Sequence, residues 1–150
     1  MKNKSVINTK YIFLISLVSA MGGLLFGYDW VVIGGAKPFY EPFFNIAHKP
    51  EMQGWAMSSA LVGCLSGAML SGLLSDRYGR KKLLILAAFL FTLSAIGTGA
   101  TSNYVLFIVY RIVGGIGVGL ASMLSPLYIA EIAPADTRGK LVSFNQLAIV

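Results

Sequence analysis

Charge is scarce in this 150-residue chain. Only 12% of its residues are charged while 56% are hydrophobic, and an ordinary soluble domain carries about 25% charged residues. That balance excludes a typical soluble domain and points to a polytopic membrane protein. Cysteine occurs once, at Cys64 within an apolar run, so no disulfide can form within the chain. Histidine also occurs once, at His48 beside Lys49 and Pro50. A lone histidine in such a loop reads as solvated, and no zinc-type spacing or other metal site is legible. No nucleophile–base pair stands out either, so nothing suggests an enzyme or an organic cofactor. Acidic residues number 6 against 12 basic ones, a net charge of +6. Such an excess can indicate nucleic acid or a membrane surface. Here the basic residues sit in short segments between apolar runs, so no nucleic-acid partner is expected and the lipid bilayer is.

Those runs organise the chain. After a polar start at 1–10, an apolar stretch over 11–36 is interrupted only by Asp29. It is longer than the 7–15-residue core of a signal peptide, and about 20 apolar residues span a bilayer. The segment 37–51 holds Pro38, Pro42 and Pro50 and reads as an outer loop. A second helix is expected over 52–74, a charged turn over 75–82, a third helix over 83–100 and a tight turn at 101–103. A fourth helix follows over 104–130, bent or ended near Pro126, which has no N–H to donate. A second charged turn covers 131–140, and a fifth helix starts at 141 and runs to 150.

Lysine and arginine orient these helices. The segments 1–10, 75–82 and 131–140 carry Lys2, Lys4, Lys10, Arg77, Arg80, Lys81, Lys82, Arg138 and Lys140, against Lys37 and Lys49 on the other side. The positive-inside rule places the N-terminus in the cytoplasm. An interrupted fifth span implies that the chain is the first part of a longer protein, because membrane helices must satisfy their backbone internally.

Several residues stand out against this apolar background. Asp29 follows Phe26-Gly27-Tyr28 in the first helix, and Arg111 lies in the fourth. Each is a charge in hydrocarbon and therefore a functional candidate by default, with a purely structural ion pair as the plainer reading. The apolar runs imply that both lie seven residues in from the outer ends of their helices, at Ala36 and Tyr104. At 1.5 Å per residue both sit roughly 10 Å deep, so they should pair. Arginine stays charged, so the carboxylate is the member that titrates.

Glycines are frequent, and Gly63 with Gly67 forms a small-xxx-small pair suited to close helix packing. The run Gly114-Gly-Ile-Gly117-Val-Gly119 lacks the final glycine of a dinucleotide fingerprint and lies mid-helix, so it too reads as packing. Trp30, Tyr40, Trp55 and Tyr104 lie near the outer boundary, as an interfacial aromatic belt would. In the inner turns, Asp76-Arg77-Tyr-Gly79-Arg80 places a glycine where a sharp reversal needs one. Glu131-x2-Pro134-x3-Arg138-Gly139 sets opposite charges that could pair at the membrane edge.

The ordered Asp76-Arg77-x-Gly79-Arg80 pattern, together with Arg111, Pro126, Tyr128, Glu131 and Arg138-Gly139, resembles the sugar-porter branch of the major facilitator superfamily. The resemblance covers essentially the whole chain and is densest over 110–146. It implies an all-α membrane protein of the major facilitator fold, with residues 1–150 supplying helices 1–4 and the start of helix 5. The implied function is secondary active transport of a monosaccharide, xylose or a related pentose or hexose, by proton symport across the cytoplasmic membrane. Alternatives are a facilitative uniporter and a membrane sugar receptor that does not transport. Asp29 is implied to carry the coupling proton with Arg111 as its partner, and Phe26 to face the sugar. Passive glucose carriers of the family generally lack this carboxylate, so Asp29 favours symport. Asp76, Arg77, Gly79, Arg80, Glu131 and Arg138 are implied to govern conformational gating against the C-terminal half of the same transporter. Most sugar contacts would lie beyond residue 150, and Gln146 precedes the family's principal helix-five glutamine.

Overall fold

A computed structural model describes residues 9–134 and 137–149. Five helices follow one another: α1 (Thr9–Phe43), α2 (Pro50–Tyr78), α3 (Arg80–Ala100), α4 (Tyr104–Ile132) and α5 (Arg138–Ile149). No strand occurs among the described residues. By length and hydropathy, α2, α3 and α4 are each able to cross a membrane. Residues 1–8, with Lys2 and Lys4, lie outside the described residues.

The α4 helix is the axis of the bundle. It packs against all four other helices, whereas α5 rests mainly on α1. Its central position follows from its glycines. A Cβ at Gly63 would strike the carbonyl of Ile112, one at Gly115 that of Ala60, and one at Gly119 that of Cys64. The α2 and α4 backbones therefore touch almost directly, which only small residues permit. On the other side, the Ser94 hydroxyl donates to the Tyr110 carbonyl at 2.6 Å and ties α3 to α4. At the outer end the Tyr104 hydroxyl donates to the Met52 carbonyl at 2.7 Å, joining α4 to α2.

The usual distribution of polarity is inverted. Ser59, Ser71, Ser75, Ser94 and Ser125 are buried, while Val31, Leu65, Leu73, Phe89, Ile96 and Val105 face outward. Water would penalise such a surface. Lipid tails do not, so helix contact in a membrane relies on small and polar residues instead.

Several boundaries differ from the sequence expectation, and α5 begins at Arg138 rather than 141, so that the second charged turn is shorter than 131–140. The first helix does not stop at Ala36 but runs through Pro38 to Phe43. Tertiary packing holds the extension. The Tyr40 and Phe44 rings lie 5.8 and 5.2 Å from the Phe107 ring, and Phe44 also meets Tyr104 at 5.9 Å. Tyr40 is thus buried core rather than part of an interfacial belt, and the outer connection shrinks to residues 44–49. Nor does Pro126 end α4, which continues to Ile132. Leu124, Ser125 and Ile129 around it are fully buried, so packing holds the helix despite one missing backbone donor.

Two further differences meet at one residue. The expected charged turn over 75–82 is helical except at Gly79, which closes α2 and opens α3. Its φ of 81° and ψ of 149° lie in a region that side chains avoid and glycine tolerates. A single residue therefore reverses the chain where eight were expected.

Candidate functional site

Asp29 and Arg111 meet in the interior. Arg111 Nη1 donates to Asp29 Oδ1 at 2.7 Å, across 82 residues of sequence. The arginine side chain is 9% exposed and the aspartate 23%. Such a short contact is a charge-assisted hydrogen bond, and burial makes the two charges depend on each other. Asp29 is not seven residues from the end of α1, as an end at Ala36 implies, because α1 continues to Phe43, whereas Arg111 is seven residues from the start of α4. Pairing therefore does not require equal distances from the helix ends. The last turns of α1 and the residue after it set Tyr40 against Phe107 and Phe44 against Tyr104 and Phe107.

Both charges line two separate spaces. A wide cleft of about 530 Å³ lies between α1, α3 and α4, walled mainly by aromatic and small residues. A small chamber of about 20 Å³ lies on the other face, between α1, α2 and α4. Phe26 borders this chamber. It precedes Asp29 by three residues and so shares its helical face. Trp30, Met57, Leu61 and Cys64 complete much of the wall. The sequence offered no sign that Met57 and Cys64 would adjoin Asp29. Their proximity follows from the α2–α4 glycine contact, which draws α2 towards α1.

At the other end of the bundle, where α4 finishes, the expected Glu131–Arg138 pair is not formed. Glu131 Oε1 instead lies 2.9 Å from Arg80 Nε, joining the start of α3 to the end of α4. Arg138 donates a long hydrogen bond, 3.4 Å, to the Ala133 carbonyl just beyond α4. The reason is geometric. Gly79 brings α3 back beside α4 immediately, so Arg80 reaches Glu131 first, and Arg138 is left to cap the carbonyl end of α4, where cations are favoured. Asp76 and Arg77 are exposed in the last turn of α2, with the Arg77 guanidinium 5.7 Å from the Tyr78 ring centre. Among the described residues no group of metal-ligand side chains comes together.

Residues 15–150 match the family model described as "Sugar (and other) transporter". The chain is 48% identical over 167 residues to the D-xylose-proton symporter of Escherichia coli strain K12, covering 95% of this chain and 34% of that protein. It is 48% identical over 148 residues to the glucose transport protein of a Synechocystis strain, covering 99% of this chain and 31% of that one. Among solved structures, the proton:xylose symporter XylE bound to 6-bromo-6-deoxy-D-glucose superposes with a TM-score of 0.86 at 46% identity, over 95% of this chain and 35% of that chain. The inward-open conformation of XylE from E. coli gives 0.85 at 47% identity, over 93% and 37%. The chain thus spans about a third of the length of these relatives. Matched by this family model over residues 15–150, the chain belongs to the sugar transporter family of membrane proteins.

Proposed function

We propose that this chain carries the N-terminal helices of a monosaccharide transporter driven by proton symport. The observation that carries the reading is the buried Asp29–Arg111 pair in a chain 48% identical to a D-xylose-proton symporter. The sugar is a pentose or hexose such as xylose, and the partners are the proton, the bilayer and the C-terminal half of the same transporter. Residues 1–150 act as one N-terminal part of that unit. The protein sits in the cytoplasmic membrane as a multi-pass chain with its N-terminus inside, as the distribution of lysine and arginine favours.

Asp29 carries the coupling proton. As a carboxylate it holds Arg111 by a charge-assisted bond. Once protonated it loses most of that attraction, and Arg111 turns to other acceptors. A bound proton thereby changes the relative energies of the two access states, which is all that coupling requires. Phe26 offers an aromatic face to the sugar on the side of the pair bordered by α2. At the cytoplasmic end Asp76, Arg77, Gly79, Arg80, Glu131 and Arg138 act on gating. The Arg80–Glu131 contact stiffens the inner ends of α3 and α4, so that the inner turns move as a unit against the other half.

Uptake of labelled xylose, arabinose and glucose by vesicles holding the full-length protein tests this. Accumulation against the sugar gradient under an imposed inward proton gradient is expected. Equilibration that ignores the proton gradient would make the protein a uniporter, and saturable binding without uptake would make it a receptor.

A further inference from the structure

Two glycines stand side by side in α1 with no neighbour pressed against them. An ideal Cβ on Gly34 or Gly35 would meet nothing within 4 Å among the described residues, whereas Gly63, Gly67, Gly115 and Gly119 lie against the backbone of the facing helix. Glycine weakens a helix interior because it gives up the most conformational freedom there, so this pair is a soft place in α1. Pro38 softens it further. Proline has no N–H, so the Gly34 carbonyl, four residues earlier, lacks its helical donor. Pro42 removes the donor for the Pro38 carbonyl in the same way, and helices bend at positions of this kind. The soft stretch lies between two grips. On one side Arg111 holds Asp29 at 2.7 Å, and Ile33 is buried. On the other, the Tyr40 and Phe44 rings lie 5.8 and 5.2 Å from Phe107. Between the grips Gly34, Gly35, Pro38 and Phe39 are exposed. Phe39, Tyr40 and Phe43 beyond the stretch, and Asp29 before it, wall the same cleft of about 530 Å³. A bend over residues 34–38 therefore reshapes the space beside the ion pair.

We propose that Gly34, Gly35 and Pro38 form a hinge, about which residues 39–43 of α1 swing across the cleft while the helix at Asp29 stays fixed to α4. A hinge needs only a few residues that absorb the change in φ and ψ, and here two glycines and a missing donor fall within one turn and a half. The continuous helix from Thr9 to Phe43 is one position of the hinge. In the other, the aromatic contacts at Phe107 are exchanged for a different seat, and the cleft beside Asp29 opens or narrows. A proton or sugar that favours one position shifts the balance between them. That use rests on the transport reading above, whereas the hinge does not.

Double electron–electron resonance on the full-length protein, freed of its native cysteines, tests the hinge. Spin labels at Phe39→Cys and Ile96→Cys read the outer segment of α1 against α3, and Val31→Cys with Ile96→Cys is the reference pair before the hinge. All three side chains are exposed. The 39–96 distance distribution should be at least twice as broad as the 31–96 one. Gly34→Ala with Pro38→Ala, which restores the missing donor, should narrow the 39–96 distribution at least twofold and leave 31–96 unchanged. Equal widths for the two pairs, or no narrowing in the stiffened variant, overturn the hinge. Should the double variant fail to fold, Pro38→Ala alone is read in the same way. Thermal unfolding separates a hinge from a packing seat. Gly34→Ala should melt no lower than the parent protein, and a lower midpoint shows that a neighbouring element rests on the glycine and overturns the hinge. In vesicles the stiffened variant should slow sugar uptake at least fivefold while equilibrium sugar binding stays within twofold. Gly99→Ala, at an open glycine in a helix without proline, should leave uptake unchanged. Full uptake by a variant whose distribution has narrowed overturns the role in transport. If the wild type moves no sugar, the transport reading fails while the distances still decide the hinge.

Discussion

Arg80, the first residue of α3, stands 2.9 Å from Glu131 near the end of α4, and Gly79 is what makes the approach possible. Both side chains are partly exposed, at 31% and 47%, so the pair adds at most about 1 kcal/mol to stability. Glu131→Gln is therefore expected to leave thermal stability nearly unchanged. Net transport should fall several-fold while sugar affinity moves by less than a small factor, because the pair lies where α3 starts and α4 ends, far from a midplane site. Parallel measurement of uptake and equilibrium sugar binding decides the matter. Equal losses of both would remove the gating role, and Arg138→Ala can be judged by the same comparison.

For Asp29, the neutral amide of Asp29→Asn still accepts a hydrogen bond from Arg111 but cannot titrate. Uphill accumulation should disappear, with sugar binding and exchange retained. Counterflow in the absence of a proton gradient separates the two. A variant that still concentrates sugar with an unaltered pH profile would end the coupling proposal.

The glycine seam predicts a steep contrast. Gly63→Leu forces a side chain into the Ile112 carbonyl, and overpacking of this kind costs about 1–3 kcal/mol or more. Gly72, on the same helix, has open space where its Cβ would go, so Gly72→Ala should be neutral or raise stability by up to about 1 kcal/mol through helix propensity. Thermal unfolding in detergent should separate these two variants clearly, and similar midpoints would argue against the backbone contact.

Gly79 has open space around its Cα but an unfavourable φ of 81° for any other residue. Gly79→Ala is thus expected to lose about 1–3 kcal/mol through backbone strain alone. It should also weaken the Arg80–Glu131 contact by shifting the start of α3. Pairing it with Glu131→Gln in a double-mutant cycle measures that link, and strict additivity would show that the turn and the ion pair are independent.

Topology is testable in a protein freed of its native thiols, Cys64 among them. In a Cys64→Ser background, a cysteine introduced by His48→Cys should react with an impermeant reagent from outside intact cells. Reaction only from the cytoplasmic side would invert the assignment.

The residues alone determine that the chain is helical and lipid-facing, since long apolar runs with scarce charge admit no other spanning structure. They also single out Asp29 and Arg111, because a charge in hydrocarbon needs a reason to be there. Composition and motif order suffice for the family as well. What local sequence cannot supply is where a helix ends when packing overrides its own punctuation. Pro38 and Pro126 read as breaks, yet aromatic contacts with Phe107 and the buried Leu124–Ile129 stretch carry both helices onward. Partner choice is tertiary for the same reason. Glu131 takes Arg80 rather than the nearer-in-sequence Arg138, because Gly79 folds α3 back along α4, and only the packed bundle sets which charges come within reach.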